Sequence, residues 1–310
     1  MMTTVPILFT FDENLLMPAG VCLTSLLESA GKETFYDIFI LHPAGCDFTQ
    51  SLLAQLPERY GNCRLTFRKV EGEFEGAFEI RGIPETAYFR LISPGLIPEY
   101  DHYLYSDVDV IFREDLAKYY ALPLDGSYFA GVDSVPGIND NDFRYLTTVL
   151  KQDPADGYFY SGNLIINAEA IRADGKMDEF REHRLKQYTY QDMDIINLTC
   201  HGKIKRLPPA YCLTDYLYDA MMTRPEKTGY SEEEIREALL RGAVHFNGPK
   251  PWKEDCFNMD IWWAVYRRSI FFDESFAHEF WKSRRYALEG MSLWKRIKLV
   301  ARYFRKGGKI

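Results

Sequence analysis

The 310-residue chain lacks several features that mark special classes of protein. It has no apolar run of 18 residues, so no transmembrane helix is expected. Its first residues, MMTTVPILFTFDENLL, contain no basic leader, so we expect no signal peptide. No internal repeat or low-complexity segment is present. The net charge of −8 provides no basic excess and argues against a general nucleic-acid binder.

Cysteine is sparse and scattered. The six cysteines form no CxxC pair and show no metal-knuckle spacing. They therefore predict free thiols in a reducing compartment rather than a disulfide framework. Their positions are Cys22, Cys46, Cys63, Cys200, Cys212 and Cys256. The composition, 46% hydrophobic and 26% charged, is that of a globular protein with a large core.

The first 70 residues predict a βαβαβ unit. Runs rich in β-branched and aromatic residues indicate strands, and helical stretches separate them. In order, these elements are strand 5–11, helix 18–30, strand 35–42, helix 49–60 and strand 64–70. The alternation favours a mainly parallel sheet flanked by helices, an α/β fold. Ligands of such sheets bind at the carboxyl ends of the strands, where Asp12 and Asn14 follow the first strand.

Further elements follow along the chain. We predict helices at 86–93, 177–188 and 191–199, and strands at 102–112, 129–132 and 164–166. The first of these helices is expected to end before Pro94, because proline removes a backbone donor. A later helix begins at Ser231, is completed as a capping box by Glu234 and stops at Gly242.

Asp107 and Asp109 flank Val108 inside the most strand-like segment, HYLYSDVDVIF. Alternation along a strand directs both carboxylates to one face, at most about 7 Å apart. Two like charges this close raise each other's pKa, and a bound divalent cation removes that conflict. Carboxylate oxygens suit Mg²⁺, Mn²⁺ or Ca²⁺. The alternative is a pair of surface acids at a strand end.

The segment VHFNGPKPW at 244–252 brings three useful residue types together. His245 can offer an imidazole nitrogen to a metal, Gly248 permits close approach of the backbone, and Lys250 can neutralise a phosphate. Two prolines restrict the loop. An imidazole beside two carboxylates favours Mn²⁺ over Mg²⁺ or Ca²⁺. The spacing therefore suits a metal-bound diphosphate.

Taken in order, these motifs resemble those of family 8 of the retaining glycosyltransferases, which have the GT-A fold. The resemblance extends over residues 5–255. It depends on FTFDEN at 9–14, TAYFRL at 86–91, the DVD strand, 131–133, YFYSGNLIIN at 158–167, QDMDIIN at 191–197 and HFNGPKPW at 245–252. It implies a Rossmann-like, mostly parallel sheet with a C-terminal helical appendix, in two parts, 1–255 and 256–310. The implied activity is transfer of glucose or galactose from a UDP-sugar, with Mn²⁺, or alternatively Mg²⁺, to a glycan or lipid-linked acceptor.

By matching position, the resemblance implies a role for each candidate residue. Asp107, Asp109 and His245 would hold the metal, and Asp107 would also contact the ribose. Gly248 and Lys250 would hold the diphosphate. The remaining roles are Asp12 and Asn14 on the uridine, Arg90 on the donor sugar and its phosphate, Asp192 on the sugar hydroxyls, and Asp133 near the donor sugar or acceptor.

The sequence departs from the family pattern at three positions. Met193 stands where the family has a glutamine near the reacting carbon, and a thioether cannot supply an amide's hydrogen bonds. Tyr160 replaces an asparagine, and Leu15 replaces an aromatic residue that stacks on the base. Met193 and Tyr160 leave open a degenerate UDP-sugar-binding protein. A metal-dependent nucleotide-sugar hydrolase or nucleotidyltransferase is the alternative enzyme class.

Residues 295–309 carry seven basic side chains and no acid. Within 292–304, Leu293, Ile297, Val300 and Phe304 recur at helical spacing, flanked by Trp294 and Ala301. This pattern predicts a basic amphipathic helix of the kind that lies on anionic lipid. The alternative is a terminal helix packed on its own domain. We expect a cytoplasmic protein that binds the inner face of the membrane peripherally through 292–310.

Overall fold

The computed structural model describes residues 2–73, 85–285 and 292–305. These residues form ten strands and thirteen α-helices. The strands are β1 (Thr3–Thr10), β2 (Thr34–Pro43), β3 (Cys63–Val70), β4 (His102–Ser106), β5 (Val110–Ile111), β6 (Phe129–Asp133), β7 (Phe159–Asn167), β8 (Ile204–Arg206), β9 (Leu213–Thr214) and β10 (Val244–His245).

Helices flank the strands along the whole described chain. They are α1 (Leu16–Ser29), α2 (Leu56–Tyr60), α3 (Phe89–Leu96), α4 (Ala117–Tyr120), α5 (Asp140–Arg144), α6 (Ala168–Ala173), α7 (Lys176–His183), α8 (Gln191–Thr199), α9 (Asp215–Thr223), α10 (Glu232–Arg241), α11 (Met259–Arg268), α12 (Glu274–Arg285) and α13 (Leu293–Arg305). Short 3₁₀ turns precede α1, α2 and α3. None of the helices in these ranges is long and apolar enough to cross a membrane.

Seven strands form the main sheet in the order β3-β2-β1-β4-β7-β6-β8. Within it only β7 runs antiparallel to its neighbours, so the predicted mainly parallel sheet is confirmed. The buried strands are continuous apolar runs, as expected when helices cover both faces. Alternate side chains of β1 enter different cores: Ile7 and Phe9 face the α1 side, and Leu8 faces the opposite side.

The predicted strand 102–112 is wrong as a single element. The chain leaves the main sheet after Ser106 and re-enters regular structure at Val110 in a second, three-stranded sheet, β5-β10-β9. Pairing of β5 with β10 is antiparallel and joins positions more than 130 residues apart, with His245 opposite Val110. Asp107 and Asp109 therefore lie at the crossing between two sheets rather than on one strand.

One predicted helix end is wrong, and another is confirmed for a different physical reason. Helix α3 continues past Pro94 to Leu96, because Ser93 Oγ donates at 2.7 Å to the carbonyl of Arg90, which the missing proline N–H leaves vacant. Helix α10 has the predicted capping box and ends at Gly242, but not through a left-handed residue. Gly242 has φ −59°, and a Cβ there would lie 2.6 Å from the carbonyl oxygen of Ala238. Close packing, not backbone handedness, requires this glycine.

Other bounds differ modestly. The predicted helix 49–60 splits into a 3₁₀ turn and α2, the predicted helix 177–188 ends at His183, and the predicted strand 164–166 is part of the longer β7. All six cysteines are free, as predicted.

The segment after residue 255 begins with two helices that share a core with the second sheet. Trp262, Trp263 and Tyr266 of α11 pack with Val21 of α1 and Phe246 after β10. Helix α13 is different, because its predicted apolar stripe is exposed, with Trp294 at 74% and Phe304 at 72%. Its helical character is confirmed. Lys306 and Lys309 of the predicted basic tail lie outside the described residues.

Candidate active site

A cleft of about 730 Å³ opens where β1 and β4 end. This is the edge at which parallel sheets bind ligands. Charged side chains occupy one end of the cleft and tyrosines much of the other. The lining includes Arg90, Asp107, Asp109, Tyr145, Tyr158, Tyr160, Tyr190, Asp192, Met193, Tyr216, His245, Gly248 and Lys250.

Asp107, Asp109 and His245 meet at the charged end. One potential ligand atom from each lies within 4.8 Å of the other two. His245 Nε2 is 3.2 Å from Asp109 Oδ1 and 3.7 Å from Asp107 Oδ2. The β5–β10 pairing brings the histidine beside Asp109, and the backbone N–H of Phe246 donates to the carbonyl of Asp109 at 2.9 Å.

The second oxygen of each carboxylate is held by a cation. Lys250 Nζ lies 2.5 Å from Asp109 Oδ2, and Arg90 Nη2 lies 2.9 Å from Asp107 Oδ1. Tyr105 also donates its hydroxyl to Asp107 Oδ1 at 2.6 Å. Each carboxylate thus keeps one oxygen toward His245. Two carboxylate oxygens and an imidazole nitrogen form a donor set that fits a divalent cation, Mn²⁺ or Mg²⁺.

Ionisation of the cluster is decided by pairing rather than by burial. Burial opposes the charge on Asp109, but Lys250 and His245 outweigh it and lower the pKa of Asp109 far below its usual range. Burial favours the neutral imidazole, but Asp109 raises the pKa of His245 well above its ordinary value. Without a metal, opposite charges therefore neutralise one another here.

Arg90 connects the cluster to the centre of the cleft. Its guanidinium is buried, lies 4.2 Å above the ring of Tyr105, and donates to the carbonyls of Ala87 and Ser161. Its Nε lies 3.3 Å from Asp192 Oδ2. Burial alone would lower the pKa of Arg90, but the neighbouring carboxylates raise it. The arginine is thus a fixed cation between Asp107 and Asp192.

Asp192 lies at the start of α8, in the cleft wall. Burial raises its pKa to about 6, although Arg90 acts in the opposite direction. Nothing among the described residues donates a hydrogen bond to its Oδ2. The neighbouring Gln191 has φ +44°, an uncommon conformation for a residue with a Cβ. Met193 also lines the cleft and packs against two apolar clusters.

Three predicted site residues lie apart from the described cleft lining. Asp12 caps a 3₁₀ turn, accepting from the N–H of Asn14 at 3.0 Å and from its side-chain amide at 3.1 Å. Asp133 accepts from the N–H groups of Val135 and Tyr158 at 3.0 and 3.2 Å. All three side chains thus have local structural partners. Leu15, next to the Asp12 turn, does line the cleft.

Gly162 has a tighter constraint than its motif indicates. A Cβ there would lie 2.2 Å from His245 Cε1 and 2.8 Å from Asp107 Oδ2, so only glycine fits against the cluster. A Cβ at Gly248 would lie 3.1 Å from Asp215 Oδ2. Burial raises the pKa of Asp215 to about 6, opposed by His245 and Lys250. Asp215 was not predicted, because its approach to the 245–250 loop depends on the β9–β10 pairing.

Asp194 is a second residue that the sequence did not identify as important. It is fully buried and accepts from Tyr145 Oη at 2.6 Å, from Tyr158 Oη and from the N–H of Tyr190 at 2.9 Å. Tyr190 in turn donates its hydroxyl to Asp142. This tyrosine network joins α5, the π-helical turn Tyr145–Val149 and the segment before β7 to α8. The spacing D-M-D was the only available signal.

The chain is similar in sequence to known glycosyltransferases. The model of "Glycosyl transferase family 8" matches residues 6–256. Lipopolysaccharide 1,2-glucosyltransferase of Escherichia coli (strain K12) is 25% identical over 279 residues, 87% of this chain and 77% of that protein. Glycosyltransferase GlyB of Streptococcus pneumoniae serotype 4 is 23% identical over 188 residues, 59% of this chain and only 43% of GlyB.

Among solved structures, the galactosyltransferase LgtC in complex with donor and acceptor sugar analogues has a TM-score of 0.68 at 22% identity. The match covers 88% of this chain and 99% of LgtC. At this identity the likeness is one of fold, and it confirms the predicted GT-A architecture.

Proposed function

Because the chain belongs to glycosyltransferase family 8, we propose that it transfers a hexose, glucose or galactose, from a UDP-sugar to a glycan or lipid-linked acceptor. Retention of the anomeric configuration and a requirement for Mn²⁺, with Mg²⁺ as the alternative, are parts of the proposal. The observation that carries it is the meeting of Asp107, Asp109, His245 and Lys250 at one end of the cleft. The names of the glucosyltransferase and of LgtC support a hexose donor.

Asp107, Asp109 and His245 would hold the divalent cation, which would act as a Lewis acid on the departing diphosphate. Lys250 would stabilise the negative charge that develops on the same leaving group, with Gly248 allowing the diphosphate close to the backbone. The short contact between Lys250 and Asp109 supports this, because the ammonium already lies at the cluster.

Arg90 and Asp192 would bind the donor hexose. Asp192 Oδ2 faces Arg90 at 3.3 Å but accepts no hydrogen bond among the described residues, so it can accept one from a sugar hydroxyl, and Arg90 would contact the sugar and its phosphate. Asp107 would also reach the ribose. Asp12 and Asn14 would contact the uridine by exchanging their mutual hydrogen bonds, and Asp133 would act near the donor sugar or acceptor.

Retention is best explained by attack on the face from which UDP departs. The anomeric C–O bond breaks and its electron pair goes to the diphosphate, while the acceptor oxygen bonds to the same carbon. The acceptor's hydroxyl proton passes to the departing diphosphate. Met193 offers no amide to the developing cation, so charge stabilisation falls to the departing diphosphate and Asp192. Asp192 is also the carboxylate available for a transient covalent intermediate.

Product analysis tests the proposal. Purified protein is incubated with UDP-glucose or UDP-galactose, Mn²⁺ and a panel of glycan acceptors, and NMR reads the anomeric configuration of the new bond. An α-linked product supports the proposal. Release of free hexose in the absence of acceptor would indicate a hydrolase. Formation of a UDP-sugar from UTP and sugar 1-phosphate would indicate a nucleotidyltransferase. Binding of UDP with no turnover would indicate a degenerate binding protein.

We further propose that residues 256–310 form a C-terminal helical region that packs on the 1–255 domain through its first two helices and attaches the protein to the inner face of the membrane through its end. Exposure of Leu293, Trp294 and Phe304 on basic α13 supports this. Each basic side chain near anionic lipid contributes about 1 kcal/mol. Deleting 292–310 should abolish sedimentation with anionic vesicles and leave UDP binding intact. Unchanged sedimentation would reject membrane attachment.

A further inference from the structure

The ring nitrogen of His245 that faces away from the carboxylates lies against a buried thiol. His245 Nδ1 is 3.5 Å from Cys212 Sγ, within hydrogen-bond range for sulfur. Cys212 is fully buried and His245 is 3% exposed. Among the described residues this nitrogen has no other hydrogen-bond partner.

The strand pairing positions the thiol. Cys212 immediately precedes β9, and β9 runs parallel to β10 with Thr214 opposite His245. Gly162 closes a second side of the ring, where a Cβ would lie 2.2 Å from Cε1. The imidazole is therefore held between Cys212 and Gly162, with Nε2 toward Asp107 and Asp109.

This arrangement has a consequence for cation binding. A neutral imidazole can donate an Nε2 lone pair to a cation only if its proton is on Nδ1. That proton needs an acceptor, and histidine ligands commonly use a carboxylate or a backbone carbonyl. Here the acceptor is a thiol sulfur, which is weak and uncharged. It can fix the tautomer and ring orientation without adding a third negative charge to a cluster that already holds two carboxylates.

We propose that Cys212 is a positioning residue for the metal site: its sulfur accepts the Nδ1–H of His245 and keeps Nε2 directed at the space between Asp107 and Asp109. The proposal rests on the proposed function, because that function supplies the cation. Cys212 touches neither donor nor acceptor in this account, and acts only through His245.

Mn²⁺ affinity without nucleotide gives a readout that is independent of sugar transfer. Mn²⁺ is titrated into wild type, Cys212→Val and Cys212→Ser, and the electron paramagnetic resonance signal measures the free Mn²⁺ that remains. Valine keeps the packing volume but removes the acceptor, whereas serine keeps an acceptor. Cys200→Val and Cys200→Ser are the matched controls, since Cys200 is also buried and lies in a different core.

We expect Cys212→Val to weaken Mn²⁺ binding by about 10- to 100-fold, as measured for partners of other metal-ligating histidines. Cys212→Ser should retain more affinity than the valine variant, and both Cys200 variants should match wild type. Circular dichroism checks that each variant folds. If the valine variant is too unstable to study, the comparison of Cys212→Ser with Cys200→Ser carries the test, with a weaker loss expected for the former only.

Three results would overturn the proposal, and they differ in what else they affect. Equal Mn²⁺ affinity in wild type and Cys212→Val would show that the thiol does not position the ligand, while the proposed function stands. Equal losses in the Cys212 and Cys200 variants would likewise assign the effect to packing. Failure of the wild type to bind any divalent cation would remove both the inference and the metal-dependent part of the proposed function.

Discussion

The two ends of the cleft are built on different principles. At one end, carboxylates and cations neutralise each other at 2.5 to 3.7 Å, in the pairs that join Asp107, Asp109, Arg90, His245 and Lys250. At the other end, tyrosine hydroxyls converge on one buried carboxylate, Asp194. The first arrangement can exchange partners when a charged ligand enters. The second is saturated and holds its wall in place.

This difference separates binding from support. In a cluster of paired charges, a charged ligand can replace one partner of a pair. When a cation and a diphosphate bind together, the net charge of the cluster changes little. A neutral network around a buried acid offers a ligand nothing to displace, but loss of any member leaves a buried polar group without its partner. Substitutions at the two ends should therefore have separable effects on ligand binding and on stability.

Asp109→Asn should have the largest effect on binding. It removes one negative charge and one oxygen ligand from the cluster, so the UDP-induced thermal shift that requires Mn²⁺ should vanish. In wild type, UDP at about a hundred times its Kd adds about 2.7 kcal/mol, a shift of a few degrees. Transfer activity should fall by at least about 100-fold.

The matched control is Asp125→Asn, since that aspartate is surface-exposed and pairs with Lys205 away from the cleft. It should keep the full shift. A metal-dependent UDP shift that survives in Asp109→Asn would disprove the metal–diphosphate site. A wild type without any shift would remove UDP as the nucleotide.

Asp194→Asn should have the largest effect on stability. An amide in place of the carboxylate turns a donor toward a tyrosine hydroxyl, so at least one buried hydrogen bond is lost and a buried polar group is left without its partner. The expected cost is about 2–3 kcal/mol of unfolding free energy, read from the urea midpoint. The metal-dependent UDP shift should persist in the folded variant.

Asp178→Asn is the control for this change, because that side chain is 86% exposed and makes a surface ion pair with Arg181. Its cost should be near zero. Equal stability of the two variants would contradict the supporting role of Asp194, and a lost UDP shift in Asp194→Asn would mean that the two ends are coupled.

Local sequence pattern sufficed for the elements that depend on local chemistry. The apolar runs of β1 and β2 and the capping box of α10 were predictable because neighbouring residues cause them. The split of strand 102–112 was not, since it depends on pairing Val110 with His245. Nothing in residues 102–112 indicates that its second half pairs with a strand so distant in sequence.

The candidate site shows the same division. Asp107, Asp109 and His245 were predicted to meet, and they do. The sequence could not show that Asp12 and Asp133 have local backbone partners, because a carboxylate that caps a turn has the same spacing as one that awaits a ligand. The role of Asp194 depends on tyrosines 36 and 49 residues away. Only the fold brings them together.

Asp192 lies between the two ends, and its protonation should make the stability of the protein depend on pH. Its pKa is raised to about 6 by burial, above about 3.9 in the unfolded chain. The folded state therefore binds the extra proton, and this contribution to stability is present below about pH 4 and lost as pH rises through 6. Relative to Asp192→Asn, wild type without metal should lose up to about 3 kcal/mol between pH 4 and 7.

Urea unfolding of both proteins across that range measures the difference. The remaining titrating groups, Asp109 and Asp215 among them, are common to both and cancel. Parallel stability profiles would show that Asp192 titrates near its ordinary value and that its carboxylate is better solvated than its burial indicates.

Met193→Gln should have the smallest effect on stability, and it tests whether residue 193 acts in catalysis or in donor binding. Methionine and glutamine have similar length, and Met193 is only partly buried, so stability should change by less than about 1.5 kcal/mol. The UDP shift should stay the same, because residue 193 is not one of the residues that form the charged cluster. The family pattern has a glutamine here near the reacting carbon, so under the proposed function kcat should rise severalfold with KM for the UDP-sugar unchanged. A changed KM with constant kcat would instead mean that residue 193 contributes to binding of the UDP-sugar. Donor binding would then depend on more than the charged end of the cleft.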